Sequence, residues 1–186
     1  LIPVRSPEEW LLFRTLWRLA PGLKQLPDEK RVWMPGALRA AQASLDRLPA
    51  DLLVSFAQPW SDHLIALRLK RERRLPWVAH FSDPWVDSPY FRPGAWARRR
   101  AESWERQVIA EATRVVFVNR HARDRVMAKY PAEWAAKAAV VAQGFEASRQ
   151  AEVPPRAREG KLRIVYTGRF YDGIRTPVPP GVPRTS

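Results

Sequence analysis

Polar side chains that could do chemistry follow a short apolar stretch at residues 75–81. His80 lies near the end of that stretch, and Ser82 and Asp83 come directly after it. An imidazole or a carboxylate in such a place is a candidate acid–base catalyst. The alternative is structural, because a lone His often makes a fixed hydrogen bond and Asp before Pro84 commonly starts a turn. These residues alone leave both interpretations open.

Similar polar clusters follow the other apolar stretches that we interpret as strands. Ligands of open parallel sheets bind beyond the carboxyl ends of the strands. Polar clusters at several successive ends therefore favour a binding site over ordinary turn polarity. The candidate ligand-binding residues at these ends are Gln58, Ser61, Ser82, Gly144, Gly168 and Arg169.

Several catalytic classes lose support because their motifs are absent from the sequence. The chain has no GxSxG nucleophile elbow, no Walker loop and no GxGxxG dinucleotide fingerprint. It contains no cysteine, and its three histidines, at positions 63, 80 and 121, do not form an HExxH pair. We therefore expect neither a bound metal ion nor another cofactor.

Apolar strands alternate with helical patterns along most of the chain. Strands are predicted at 51–56, 75–81, 114–119 and 138–144, and helices at 6–20, from about 35, at 61–74, across 97–112 and at 121–130. Continuous apolar strands separated by helices indicate parallel pairing through right-handed crossovers. The sequence thus predicts an α/β, doubly wound, Rossmann-like parallel sheet with helices on both faces.

Composition suggests two unequal domains. Residues 1–144 read as one Rossmann-like domain, and residues 145–160 contain a Pro pair and few large apolar side chains, as a linker does. A new strand then begins at residue 161, and we interpret residues 161–186 as the start of a second domain. The chain begins without Met and ends in a Pro-rich segment. We therefore expect a fragment, truncated in its second domain and lacking the first strand of its first.

The charge balance favours anionic partners. The chain has 186 residues and a formal net charge of +13, although a GC-rich genome that encodes surface positions with Arg and Ala would give a similar surplus. Trp10, Phe13 and Trp17, flanked by Arg14 and Arg18, form an aromatic face that could lie in a lipid interface or pack on the sheet. No signal peptide or stretch of about 20 apolar residues is present. We therefore expect a cytoplasmic protein with possible peripheral contact with an anionic membrane.

One long stretch resembles a known family. "DLLVSFAQPWSDHLIALRLKRERRLPWVAHFSDPW" is similar to the N-terminal half of glycosyltransferases of family 4, the two-domain GT-B enzymes. "ERQVIAEATRVVFVN", "VVAQGFE" and "LRIVYTGRF" resemble later segments of the same family, in the same order. The resemblance covers residues 35 to about 177, so it extends over most of the chain.

The resemblance implies a function in sugar transfer. In this family the N-terminal domain holds a saccharide or lipid-linked acceptor, and the C-terminal domain holds a nucleotide sugar. It implies a retaining, metal-independent hexosyl transfer in polysaccharide, lipid-linked glycan or glycoconjugate biosynthesis. His80 and Asp83 are the implied catalytic residues, and Arg169 and Arg175 the implied contacts to the donor phosphates. The most similar branch carries Asp at the position of His80, so Asp83, which matches its DPW motif, is expected to matter more.

The sequence lacks two motifs of this family, and two other interpretations of its function stay open. The acidic ExxxxxxxE region of the donor domain and the Gly-rich turn after the first strand are absent from this chain. We therefore expect the fragment alone to be inactive. The alternative is a non-catalytic, basic α/β module that binds nucleic acid or anionic lipid, and a second rival is a degenerate fragment. Nucleic acid is the less favoured ligand, because Trp77 and Trp104 are predicted to be core rather than stacking residues.

Overall fold

The computed structural model describes residues 26–144, together with Glu146 and Thr167. By contacts the chain divides into two compact units, Leu1–Gln143 and Gly144–Ser186, and the described residues belong almost entirely to the first. The described elements, in chain order, are a 3₁₀ helix Glu29–Trp33, α1 Met34–Arg47, β1 Leu53–Ala57, α2 Ser61–Arg73, β2 Trp77–Phe81, α3 Ala95–Glu111, β3 Arg114–Phe117, α4 Arg120–Met127, a 3₁₀ helix Ala132–Lys137 and β4 Ala138–Val140.

The four described strands form one parallel sheet in the order β1-β2-β3-β4. Ala79 in the middle of β2 pairs with Ser55 of β1 and with Val115 of β3. Each neighbouring pair is joined through a helix, as parallel pairing requires. This architecture confirms the α/β Rossmann-like fold predicted from the sequence. It also brings the carboxyl ends of all four strands to one edge of the sheet.

The core lies between one face of the sheet and three helices. Trp77, Ala79 and Phe81 alternate along β2 with half-buried residues, and all three are completely buried. Side chains of α2, α3 and α4 pack in the same core cluster. Right-handed crossovers between sequential neighbouring strands place all their helices on one face. Burying a side chain as large as Trp77 or Phe81 stabilises the fold by about 1.5–3 kcal/mol.

The second face of the sheet is less covered by the described residues. Helices α2, α3 and α4 pack on the first face, and α1 packs against α2. On the other face, Val54 and Phe56 of β1 are 45% and 58% exposed. The helix predicted at 6–20 and the strand predicted after residue 161 lie outside the described residues.

Helix α2 has a well-defined start and end. Its first residue, Ser61, donates from the backbone N–H and from the hydroxyl to the Asp28 carboxylate, over 2.8 and 3.0 Å. The helix ends at Arg73, and the following residue, Arg74, has a left-handed φ of 55°. The Arg74 N–H closes the last turn by donating to the Lys70 carbonyl over 2.9 Å. The ends of α2 are thus stabilised by one distant carboxylate and one left-handed residue.

A buried polar chain links β1, β2 and α2 inside this core. The Trp77 indole N–H donates to Ser55 Oγ over 2.9 Å, and Ser55 Oγ lies 2.7 Å from His63 Nδ1. Burial, and secondarily the neighbouring His80, lowers the pKa of His63 to about 3. The imidazole therefore stays neutral at physiological pH and acts as a structural group.

The predicted boundaries of β3 and β4 agree with the observed ones at the start of each strand but not at its end. Strand β3 ends at Phe117 and β4 at Val140, so both are shorter than the predicted 114–119 and 138–144. In each case the strand stops where its pairing partner stops. None of the described helices is both long enough and apolar enough to cross a membrane.

Candidate functional site

A pocket of about 530 Å³ opens at the carboxyl edge of the sheet. Its walls come from three segments that are distant in sequence: residues 27–30, where the first 3₁₀ helix begins, the turn after β1 and the loop after β2. The polar residues of its lining are Asp28, Glu29, Lys30, Gln58, Ser88 and Tyr90. Ligands of parallel α/β sheets bind at this edge, so the pocket is the candidate site.

Two tryptophans join the turn after β1 to the loop after β2. Trp60 and Trp85 stack with ring centroids 4.9 Å apart and planes 2° apart. Both contribute to the pocket wall, although both side chains are buried. The Trp85 indole Nε1 is buried and has no hydrogen-bond partner among the described residues. A buried donor without a partner costs free energy, so a buried water that accepts from it would stabilise the site.

The acidic side of the pocket begins with Asp28. Its carboxylate accepts from the Lys30 backbone N–H over 2.8 Å and from Ser61, so it is a structural group. Asp62 lies beside it, and a groove lined by Lys30, Trp33 and Asp62 adjoins the pocket. Burial, together with the negative charge of Asp28, raises the pKa of Asp62 to about 6. Asp62 therefore exchanges its proton near neutral pH.

The loop after β2 is fixed from below by a buried carboxylate. Glu105 of α3 is completely buried and accepts from the Val86 backbone N–H over 3.0 Å and from the Tyr130 hydroxyl over 2.6 Å. Lys129 forms ion pairs with both Glu105 and Asp87. Burial, and then the Glu105 charge, raises the pKa of Tyr130, so its hydroxyl remains a donor. This cluster holds the loop that forms one wall of the pocket.

Of the predicted site residues, two lie at the end of β1. Gln58 is exposed and lines the pocket, and the peptide bonds on both sides of it are cis. Ser61 is completely buried, and its hydroxyl is already donated to Asp28. Gln58 is therefore accessible to a ligand, whereas Ser61 orders the wall behind it.

The predicted catalytic residues lie outside the pocket lining. His80 is half-buried on the less covered face of the sheet, with its ring 5.0 Å from that of Phe56. Its Nδ1 is buried without a hydrogen-bond partner among the described residues. Ser82 is half-buried and Asp83 is exposed, and neither lines the pocket. The structure thus places these three at the carboxyl end of β2 but does not join them to Gln58 in one cavity.

The remaining predicted residues come after the last described strand in the sequence. Gly144 is exposed, and a Cβ added to it would meet nothing within 4 Å. Gly168, Arg169 and Arg175 lie outside the described residues. Within residues 26–144, no group of three or more acidic or histidine side chains could hold a metal ion.

Sequence reasoning missed two parts of this site. Asp28 approaches Ser61 across 33 residues, and no local pattern indicates such a contact. Glu105 did leave a signal, because it lies between Ala101 and Val108 on the buried face of α3. A charged residue within an apolar helical stripe indicates a buried carboxylate with partners.

The comparison with protein families decides which class of protein this is. The sequence profile of the family described as Glycosyl transferase 4-like domain matches residues 3–156. The chain belongs to this family. A search of curated proteins returned no significant match. Membership confirms the resemblance drawn from the sequence. The pocket is therefore interpreted as the candidate site of a glycosyltransferase-family domain.

Proposed function

We propose that this chain supplies the acceptor-binding side of a glycosyltransferase. The enzyme would move a hexosyl unit from a nucleotide sugar to a saccharide or lipid-linked acceptor, with retention of configuration and without a metal ion. Family membership supports sugar transfer in general. The pocket at the carboxyl edge of the sheet is the observation that carries the acceptor assignment.

The lining of the pocket suits a saccharide. Its volume of about 530 Å³ lies within the range of small-molecule sites. The Gln58 amide and the Ser88 hydroxyl offer hydrogen bonds to sugar hydroxyl groups, and Phe91 offers an apolar surface to the C–H face of the ring. Polar groups placed beside apolar ring surfaces give orientation as well as affinity.

Roles for the other candidate residues follow from the family resemblance. Asp83, exposed after β2, would orient the attacking acceptor hydroxyl. His80 would contact the transferred sugar. Arg169 and Arg175 would stabilise the diphosphate, which gains negative charge as the glycosidic bond breaks. This division places acceptor binding in residues 1–144 and donor binding in the segment from residue 161.

Acceptor binding is the first test. We would screen the 186-residue chain against a saccharide array and measure the best ligand by calorimetry. Gln58→Ala should weaken binding about fivefold, as expected for one lost hydrogen bond. Gln42→Ala is the control, because Gln42 lies on α1 outside the pocket and donates to Glu72. Equal losses in both variants, or no saccharide binding at all, would overturn the acceptor assignment.

Transfer is the second test. Radiolabelled nucleotide sugars are offered to the 186-residue chain and to a chain extended with a complete donor domain. We expect transfer only by the extended chain. Turnover by the shorter chain would contradict the proposed division between the two domains. Saccharide-independent binding of nucleic acid or anionic lipid, with no transfer by either chain, would favour the non-catalytic basic module instead.

A further inference from the structure

The outward face of α3 carries an unusual set of side chains. The helix buries Ala97, Ala101, Glu105, Val108 and Ile109 on one side. At 3.6 residues per turn, the side opposite this stripe presents an exposed tryptophan and a row of arginines. We call this surface the α3 outer face and define it by Trp96, Arg99, Arg100 and Arg106.

The arginines of the α3 outer face have no carboxylate partner among the described residues. The Arg100 guanidinium lies 4.9 Å from the centroid of the Trp104 ring, and that of Arg106 lies 5.2 Å from the Trp134 ring. Arg99 is exposed and makes no such contact.

The acidic residues of the same helix are committed elsewhere. Glu102 pairs with Arg98, Glu111 pairs with Arg71, and Glu105 is buried in the core. The α3 outer face is therefore a positive surface that its own helix does not neutralise.

An exposed aromatic residue stands at the start of this surface. Trp96, in the first turn of α3, is 68% exposed, and Tyr90, in the preceding loop, is 44% exposed. Indole and phenol side chains favour the boundary between water and lipid, where an apolar ring and a polar atom are both accommodated. Aromatic residues beside cations on one helical face are typical of helices that lie on an anionic membrane.

We propose that the α3 outer face docks this protein on a membrane that contains anionic lipid. Cationic side chains would contact the phosphate groups, and Trp96 would enter the interfacial layer. Single-stranded nucleic acid is less suited to this surface, because it needs several accessible rings for base stacking, and Arg100 and Arg106 cover the faces of Trp104 and Trp134.

The position of the surface relates it to the candidate site. Helix α3 follows the carboxyl end of β2, so its first turn lies at the edge of the sheet where the pocket opens. Tyr90, which lines the pocket, is only six residues before Trp96. Docking would thus hold the pocket close to lipid-linked acceptors. That consequence rests on the proposed function, whereas membrane binding itself does not.

Vesicle sedimentation tests the proposal with the full 186-residue chain. We expect binding to vesicles of phosphatidylcholine with one-third phosphatidylglycerol, little binding to pure phosphatidylcholine, and weakening at high salt. Arg99→Gln/Arg100→Gln should reduce the affinity about 30-fold, equivalent to about 1 kcal/mol for each basic residue. Arg39→Gln/Arg47→Gln removes the same charge from exposed positions on α1 and should change the affinity far less.

A second measurement tests the position of Trp96. Brominated lipids quench tryptophan fluorescence at the interface, so quenching should fall in Trp96→Phe, which still binds. Equal losses in the two arginine variants, or equal binding to both vesicle types, would overturn the proposal. A loss of vesicle binding that occurs only in Trp10→Ala/Trp17→Ala would also overturn the proposal, because it would assign the membrane contact to the N-terminal segment. If the chain binds single-stranded DNA more tightly than vesicles, and Arg99→Gln/Arg100→Gln removes that binding, then nucleic acid and not a membrane is the ligand of this surface.

Discussion

Trp60 and Trp85 stack face to face although they follow different strands. Their rings are 4.9 Å apart and nearly parallel, and neither ring is appreciably exposed. The stack ties the turn after β1 to the loop after β2, the two segments that form most of the candidate pocket. The pocket wall is therefore part of the hydrophobic core, and its shape is set when the domain folds.

Removing Trp85 should destabilise the domain severely. Trp85→Ala deletes a completely buried indole and leaves a cavity beneath the pocket, so we expect a loss of about 3–5 kcal/mol in the free energy of unfolding. Trp96→Ala is the matched control, because that indole is 68% exposed and should have little effect. Urea unfolding followed by circular dichroism measures both. A similar loss in the two variants would contradict the buried stack.

The Glu105 cluster should be sensitive to the loss of its carboxylate. Glu105→Ala leaves the Val86 N–H and the Tyr130 hydroxyl without their acceptor, so we expect a loss of about 3–5 kcal/mol in the free energy of unfolding. Glu105→Gln keeps an acceptor and should cost less. Glu102→Gln on the same helix breaks only an exposed pair with Arg98 and should cost less than about 1 kcal/mol.

Hydrogen exchange distinguishes the Glu105 cluster from a general loss of packing. In Glu105→Gln the Val86 amide should exchange faster, because its acceptor has lost its charge. The amides of β2 should keep their protection after correction for global stability. Unchanged exchange at Val86 would mean that Glu105 does not hold the loop.

His63 should make the domain less stable in acid. Its pKa is about 3 when folded and ordinarily 6.5, so below pH 6.5 protons bind to the unfolded chain first. The contribution of neutral His63 to the free energy of unfolding is fully present above pH 6.5. It is lost as the pH falls towards 3, by about 2 kcal/mol between pH 7 and 5. Urea midpoints across this range measure it. His63→Asn should flatten the profile, whereas the exposed His121→Asn should not.

Asp62 has the opposite effect on stability from His63: it makes the folded domain more stable in acid, over an overlapping pH range. Its pKa is raised to about 6 in the folded protein, so its contribution is present in acid and is lost as the pH rises through 6. In the unmodified protein it therefore masks part of the acid sensitivity caused by His63. Asp62→Asn should make the fall in stability between pH 7 and 5 steeper. An unchanged slope would show that Asp62 has an ordinary pKa.

Asp83 should matter more for transfer than His80. In a two-domain enzyme made by joining this chain to a donor domain of the same family, Asp83→Asn should lower kcat/KM more than tenfold, about 1.4 kcal/mol of transition-state stabilisation. Asp83 is exposed after β2, confined by Pro84 to extended conformations, whereas the His80 ring packs on Phe56. His80→Asp, the residue found in the resembling branch, should cost less. Steady-state kinetics decide the order, with thermal melts as the folding control.

Much of the fold could be predicted from local patterns. The starts of β3, β4 and α2 agree with the sequence because apolar runs and helical spacing are properties of neighbouring residues. The ends of β3 and β4 could not be placed in the same way. A strand ends where its neighbour stops offering hydrogen bonds, and this depends on register, which the apolar pattern alone does not show.

The candidate site was only partly predictable, for a related reason. Gln58 was selected because ligands of parallel sheets bind at the ends of strands, and it does line the pocket. The same rule selected Ser61, whose hydroxyl is taken up by Asp28. The contact between Asp28 and Ser61, 33 positions apart, depends on how the segment before α1 crosses the edge of the sheet. A periodic sequence pattern does not show that course of the chain.

The order of the described strands in the sheet has a consequence for how the chain acquires its structure during synthesis. Each of the strands β1 to β4 pairs with the strand that precedes it in the sequence. None of these four described strands has to wait for a distant later segment to be inserted between itself and its described neighbour. This part of the sheet can therefore grow in one direction as the chain leaves the ribosome, each new helix and strand adding to an edge that already exists.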